Sequence, residues 1–239
     1  MSVWSLLLCE GPHDQEFLCT LATFARGWQK SRLRPSSVPA TFASDKYRFL
    51  VYDQRCLVVA HVGGVDPLLG SEGRELAAIA RGARSVGLML DADSEGVEAR
   101  QADARRYFGP VLDAATAAVT GTIVKASTSV SDKRQFGLWV APNCRDAGSL
   151  DCVIRQAAQS LHPTLLPVAE RFIVDLTTEA NHDWGRHRDK ALLGSLGQLW
   201  RAGGSLASAL QERAEWMSEE LVTSEPFSGI VQFMKALLE

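Results

Sequence analysis

Val3 to Leu18 reads VWSLLLCEGPHDQEFL, and this stretch decides how the rest of the chain is read. Trp4 to Cys9 is a short, nearly continuous apolar run, the pattern of a central strand covered on both faces. The run stops on Glu10. Gly11, Pro12, His13 and Asp14 follow, and then Phe17, Leu18, Leu21, Phe24 and Ala25 recur at helical spacing, which predicts a helix over Glu16–Trp28. Gly11 removes side-chain bulk beside Glu10, so a phosphate or metal can approach the backbone there. Pro12 suits the first turn of a helix, and Asp14 suits a helix N-terminus.

The same alternation continues outward. Gln29 to Ser44 is basic and rich in Ser and Pro, and reads as a loop. Tyr47–Tyr52 and Cys56–Val62 read as strands joined by a turn at Asp53 and Gln54, and Gly63 and Gly64 end the second. Glu72–Gly82 reads as a helix, Ser85–Leu90 as a buried strand running into DADSEG, and Gly96–Phe108 as a charged helix. Phe136–Val140 is a further strand, followed by a helix over Leu150–Leu161. From Pro163 the pattern is almost wholly helical, over Leu165–Thr178, Lys190–Trp200, Leu206–Val222 and Phe227–Leu238. Strands separated by helices predict an α/β fold, a Rossmann-like, mostly parallel sheet flanked by helices, with a helical C-terminal region. The expected division is a core over residues 1–162 and a helical extension over residues 163–239, packed on the core or continuous with it as one domain.

In such sheets the functional crevice lies outside the carboxyl ends of the strands. The first strand ends at Glu10, with Asp14 in the connection. The SVGLML strand leads to Asp91 and Asp93, which face the same way if the strand persists. The FGLWV strand leads through Asn143 and Asp146 to Asp151. If the three strands are neighbours, the carboxylates converge, repel and raise one another's pKa. A divalent cation resolves that conflict, and all-oxygen ligands favour Mg²⁺ or Mn²⁺ over zinc. Taken singly, each acid has a plainer reading: an Asp at a strand end forms turns, and Asp14 could be only a cap.

EGPHD together with LMLDADSEG resembles the Toprim domain, the metal-binding fold of primases, topoisomerases and OLD-type nucleases. FGLWVAPNCRDAGSLDCVI and HDWGRHRDKALLGSLGQ resemble the standalone Toprim-related DUF3226 family, with DUF4435 as a neighbour. The resemblance implies a Toprim-like core and roles for individual residues. Glu10 takes the place of the Toprim glutamate, a metal ligand or general acid/base. Asp14, Asp91 and Asp93 take metal positions. Asp151 takes the place of the acid in a G-x-L-E-D motif that here reads Gly148-Ser149-Leu150-Asp151-Cys152, with a shorter first acid and a cysteine for the second. Lys190 matches a lysine that meets charge on the phosphate in the transition state. OLD-type nucleases also carry an ATPase domain, and no Walker motif is present here, so a separate ATPase partner is expected, in genome or phage defence.

The remaining sequence bounds this reading. A net charge of −3 excludes a polycation, so nucleic acid would be bound by a local patch, by metal or through a partner. Two patches qualify. One is NHDWGRHRDK, with His182, Arg186, His187 and Arg188; the other is Arg26, Lys30, Arg32 and Arg34 after the first helix. The plainer reading of both is a solvated loop, the first capping the helix that follows. His13 is close enough to Glu10 to contact substrate, whereas His61 reads as structural. The five cysteines form no CxxC pair and read as reduced thiols of a cytoplasmic protein. No signal peptide or membrane span is expected. The expected function is therefore a Mg²⁺- or Mn²⁺-dependent nuclease acting on DNA or RNA. Glu10 and Lys190 are catalytic, Glu10, Asp14, Asp91, Asp93 and Asp151 hold metal, and Gly11, His13, Arg186 and Arg188 contact substrate. Two other readings stand beside it: a weakened metal- or nucleotide-binding regulatory module, and a DxD nucleotide-sugar transferase that leaves EGPHD unexplained. A homodimer is compatible with the sequence.

Overall fold

In a computed structural model, residues 3–125, 134–179 and 183–239 are described. The opening run forms β1 (Trp4–Cys9), all six residues buried. Helix α1 (Pro12–Phe24) leads away from it, followed by β2 (Trp28–Ser31), β3 (Tyr47–Tyr52) and β4 (Arg55–His61). Two short helices, α2 (Val65–Leu69) and α3 (Ser71–Ile79), lead to β5 (Ser85–Asp91); α4 (Val97–Phe108), β6 (Thr122–Val124) and β7 (Gln135–Ala141) complete the sheet. Its seven strands run in the order β2-β3-β4-β1-β5-β7-β6. The central four, β4, β1, β5 and β7, are parallel, and the edges are antiparallel. This is the expected α/β class, a mostly parallel core between helices.

Three expectations are corrected. Trp28–Ser31 is an edge strand rather than helix end and loop, and β6 was not expected at all. Both are short and paired on one strand only, so neither carries the buried run of a central strand. The first helix starts at Pro12 and ends at Phe24, because Gly27 turns the chain at φ 92° into β2. The long helix expected over Leu206–Val222 is broken into α8 (Leu206–Ala209), α9 (Arg213–Trp216) and α10 (Glu219–Thr223). Ser218 starts a new helix there, its hydroxyl accepting from the Leu221 amide.

Both sheet faces are dry. Leu6, Leu8, Val58, Leu88, Leu90 and Leu138 face one way, against α3 and α4. Leu7, Cys9, Leu57, Val59, Met89 and Trp139 face the other. That second face meets α1, α5 (Leu150–Leu161) and helices of the C-terminal third. Beyond α5 come α6 (Leu166–Glu179), α7 (Arg188–Gly197), α8 to α10, and α11 (Phe227–Ala236). The chain end is seated in a notch of the sheet. Gly87 pairs with Gly137 across β5 and β7, and a Cβ on either would come within 2.6 or 2.8 Å of Leu237. The Leu237 carbonyl accepts from Ser5 and Ser85. Among the described residues, no helix is long and apolar enough to cross a membrane.

Candidate functional site

Because β1, β5 and β7 are consecutive neighbours in the sheet, their carboxyl ends open on one rim. Glu10 follows β1 directly, and its carbonyl accepts the amides of Gly63 and Gly64, each at 2.8 Å, so the loop after β4 is clamped beside it. The Glu10 carboxylate reaches across to β5, where Oε1 accepts from the Asp91 amide at 2.9 Å. Asp91 in turn accepts from the Leu150 amide, the start of α5, at 2.8 Å. Three elements are thus stitched together by two carboxylates.

Asp14 does cap α1: its Oδ2 accepts from the Gly11 amide at 2.7 Å, with Gly11 at the N-cap and Pro12 next. It is also 8% exposed, far drier than a surface cap requires. Asp93 lies just past the strand rather than on it. Its φ of 50° turns the chain, and its amide and carbonyl pair with Gly148. Its carboxylate meets Arg100 at 3.3 Å. Asp151 sits in the first turn of α5, and its Oδ1 is buried with no hydrogen-bond partner.

These acids share one electrostatic field. Burial raises the Asp14 carboxyl to about 7, with Asp151 and Glu10 adding to the rise and the Gly11 amide opposing it. Burial, then Asp14 and Glu10, hold Asp91 well above the usual carboxylate range. Glu10 is raised by burial and by Asp93, against the Asp91 amide, Arg100 and Lys190. Asp151 is raised by burial, with Lys190 the leading opposing charge and His187 a lesser one. Lys190, exposed in the first turn of α7, is therefore felt by Glu10, Asp14 and Asp151 alike. His13 is lowered to about 4 by burial, Lys190 and His61, so it is neutral at pH 7.

The first turn of α7, which carries Lys190, is anchored by Asp189. Asp189 accepts from Arg155 of α5 at 3.3 Å, and Arg155 also binds Glu170 of α6. Cys152, which stands where the resemblance expects a second acid, turns to the same Asp189, Sγ to Oδ2 3.7 Å. The structure therefore brings together Glu10, Gly11, His13, Asp14, Asp91, Asp93, Asp151 and Lys190. It does not bring in Asn143 and Asp146, which bond to each other in an exposed turn. Arg188 lines a groove with Val174, Thr177 and Trp184, on the side of α6. His182 lies outside the described residues, as does the Arg186 side chain.

Two contributors escaped the sequence reading. Arg100 is 4% exposed, donates to the Asp91 carbonyl at 2.9 Å and meets Asp93, Glu95 and Asp103. On a charged helix it looks like one more solvated residue; the clue was the run of acids just before that helix. The Arg155–Asp189 pair joins positions 34 residues apart and leaves no local pattern.

The donor set suits a hard divalent cation. Glu10, Asp14 and Asp91 each give one oxygen to a backbone amide, and the other has no hydrogen bond among the described residues. Asp151 adds an orphaned oxygen. As the side chains stand, no three His, Cys, Asp or Glu of the described residues form a ready cage.

A family model described as "Protein of unknown function (DUF3226)" matches residues 5–239. The chain is similar in fold to the crystal structure of a hypothetical protein from Pyrococcus horikoshii OT3. That likeness covers 98% of each chain at a TM-score of 0.60 and 14% identity. No curated protein matches.

Proposed function

Since this chain belongs to the DUF3226 family, whose function is unknown, we propose one from its rim: a Toprim-like, Mg²⁺- or Mn²⁺-dependent phosphodiesterase acting on DNA or RNA. One observation carries the reading. Four carboxyls of the rim, Glu10, Asp14, Asp91 and Asp151, are all raised, chiefly by desolvation, and Asp151 keeps a buried oxygen with no partner. Such a group is costly unless a cation completes it.

Glu10, Asp14, Asp91 and Asp151 would hold the ion, with Asp93 completing the set from its pair with Arg100. When bound, the cation supplies charge to the phosphate and lowers the pKa of water. The chain supplies the rest. Asp14, raised to about 7 by burial, would carry its proton on Oδ1, since Oδ2 is held by the Gly11 amide, and a cation beside it would favour the charged form. Lys190 stands over the rim and meets charge that develops on the phosphate oxygens. Arg100 neutralises Asp93 from behind and keeps the β5 end in place. A separate ATPase as partner belongs to the same reading.

The test is cleavage of plasmid, single-stranded DNA and tRNA with Mg²⁺ or Mn²⁺, by wild type and by Glu10→Ala and Asp91→Ala. Cleavage by wild type alone supports the proposal. Absence of both cleavage and metal binding in wild type, with and without an ATPase partner, defeats it. A second reading, a metal- or nucleotide-binding regulatory module, draws on the engagement of Asp93 by Arg100 and of Cys152 by Asp189. It predicts metal binding without turnover.

A further inference from the structure

Another charged feature lies on the same edge of the sheet, outside the carboxylate cluster. β2 is antiparallel to β3 and β3 to β4, so β2 runs parallel to β1 and its chain leaves toward the same rim as Glu10. The residues after β2 fold over the start of β3 and enclose a groove of about 460 Å³. Lys30, Arg32, Arg34 and Arg48 line it. They face two acids, Asp45 in the wall and Glu16 at the base, so the groove carries an excess of positive charge in a chain whose net charge is −3. Glu16 is 2% exposed and holds Lys30 at 3.0 Å and Arg48 at 2.6 Å. It fixes the floor of the groove, while Arg32 stands exposed with no ion pair among the described residues. Between the arginines, Leu33 is 81% exposed, and a half-buried Tyr47 lines the wall.

We infer that this groove binds a single-stranded nucleic acid and leads the strand to the carboxylate rim, with Arg32 and Arg34 on its phosphates and Leu33 and Tyr47 against its bases. The inference rests on the proposed function and names its substrate class. Cations that track a backbone, interleaved with apolar and aromatic surface for unpaired bases, are the requirement for single strands; a duplex would leave Leu33 without an occupant. The link to the rim is α1. Asp14 serves the carboxylate cluster and Glu16 the groove, two residues apart on opposite sides of the first turns of the helix. From β2 to β1 is three strand spacings, about 14 Å, or roughly four nucleotides at a stacked rise of ~3.4 Å each.

The test is anisotropy of labelled single-stranded DNA and RNA oligonucleotides and a labelled duplex, titrated with the full chain across a salt series. The variant is Arg32→Glu. The control is Arg81→Glu, the same change of charge at an exposed residue between α3 and the start of β5. Arg32→Glu should weaken single-strand binding about tenfold and flatten the salt dependence by roughly one counterion; Arg81→Glu should leave both near wild type. Preference of wild type for either single strand over duplex supports the groove, and DNA or RNA is decided by which of them it holds more tightly. Equal effects of the two variants, no effect of either, or tighter duplex binding overturn it. The two readings fail separately. Cleavage that survives Arg32→Glu without change in KM removes the groove and keeps the enzyme. Binding lost in Arg32→Glu, by a wild type that never cleaves, keeps the groove and removes the enzyme.

Discussion

The rim has two halves built in different ways. Glu10 and Asp91 stand on strand ends, Asp14 on the helix that follows, and each has a carboxylate oxygen held by a backbone amide. Asp151 and Lys190 stand on helices α5 and α7, and their relation is set by side chains, through Arg155, Asp189 and Glu170. A sheet end is rigid, because its neighbours fix it on both sides; a helix pair joined by a partly exposed ion pair is adjustable. In the proposed phosphodiesterase that difference would divide the labour: the strand half would set where the phosphate sits, and the helix half how charge on it is met.

The largest effect should come from the strand half. Asp91→Ala removes an acid and the acceptor for the Leu150 amide, and metal-dependent cleavage should fall about 10³-fold. Asp91→Asn keeps an acceptor and loses the charge, so its cleavage should fall as far while its metal-free Tm rises above wild type. An Asp91→Asn protein that cleaves within tenfold of wild type would remove Asp91 from the chemistry. On the helix half, Lys190→Ala should cost about 10²-fold in kcat, partly restored by Lys190→Arg. Equal losses in the two Lys190 variants would mean that charge is not what Lys190 contributes.

Arg155→Ala tests the adjustable joint itself. Arg155 is 42% exposed, so its ion pairs add little to stability, less than about 1 kcal/mol. The effect should appear instead as a roughly tenfold fall in kcat with KM nearly unchanged, because a misplaced Lys190 meets the transition state rather than the ground state. Arg155→Lys should recover part of it. A fall in Tm with kcat intact would make the joint purely structural.

A pH series on the metal-free protein distinguishes the halves by stability. Asp14 has a folded pKa of about 7, above its unfolded value. The stability linked to it is full below about pH 4 and is lost as pH rises through about 7. Wild type should therefore lose several degrees of Tm from pH 5 to pH 8, and Asp14→Asn should lose less. Mg²⁺ or Mn²⁺ should restore the difference at pH 8, where the carboxylates are free to bind it. Identical pH profiles for wild type and Asp14→Asn would place the titration elsewhere.

The two halves also differ in how far the sequence disclosed them. Glu10 and Asp91 were legible because an apolar run that ends on an acid is a local signal, and both ends lie on central strands. That β1, β5 and β7 are neighbours was a condition the sequence could state but not settle, since strand order depends on contacts between distant segments. β2 stayed hidden because only Trp28 of its four residues is buried. Arg100 was unreadable for a related reason: nothing in VEARQADARRYF separates an arginine turned inward to Asp93 from the exposed ones around it. The basic run near Arg32 was visible as charge, and its meaning depended on which edge of the sheet it reached.

Cys152 gives the smallest expected effect and the sharpest test of the comparison. By resemblance its position is acidic and would belong to the rim. In this chain Asp151 faces the carboxylate cluster, while Cys152, the next residue on the helix, points to Asp189 on α7. A thiol at 3.7 Å from a carboxylate is a weak contact. Cys152→Ser should therefore change Tm by no more than about a degree and leave cleavage within about twofold. Cys152→Asp is different in kind. It would set a second carboxylate against Asp189, compete for Arg155 and loosen the hold on Lys190, so cleavage should fall several-fold with no gain in metal stoichiometry. Should Cys152→Asp instead bind a further ion and cleave faster, the position would belong to the metal-holding rim, and the line between the two halves would have to be drawn one residue later.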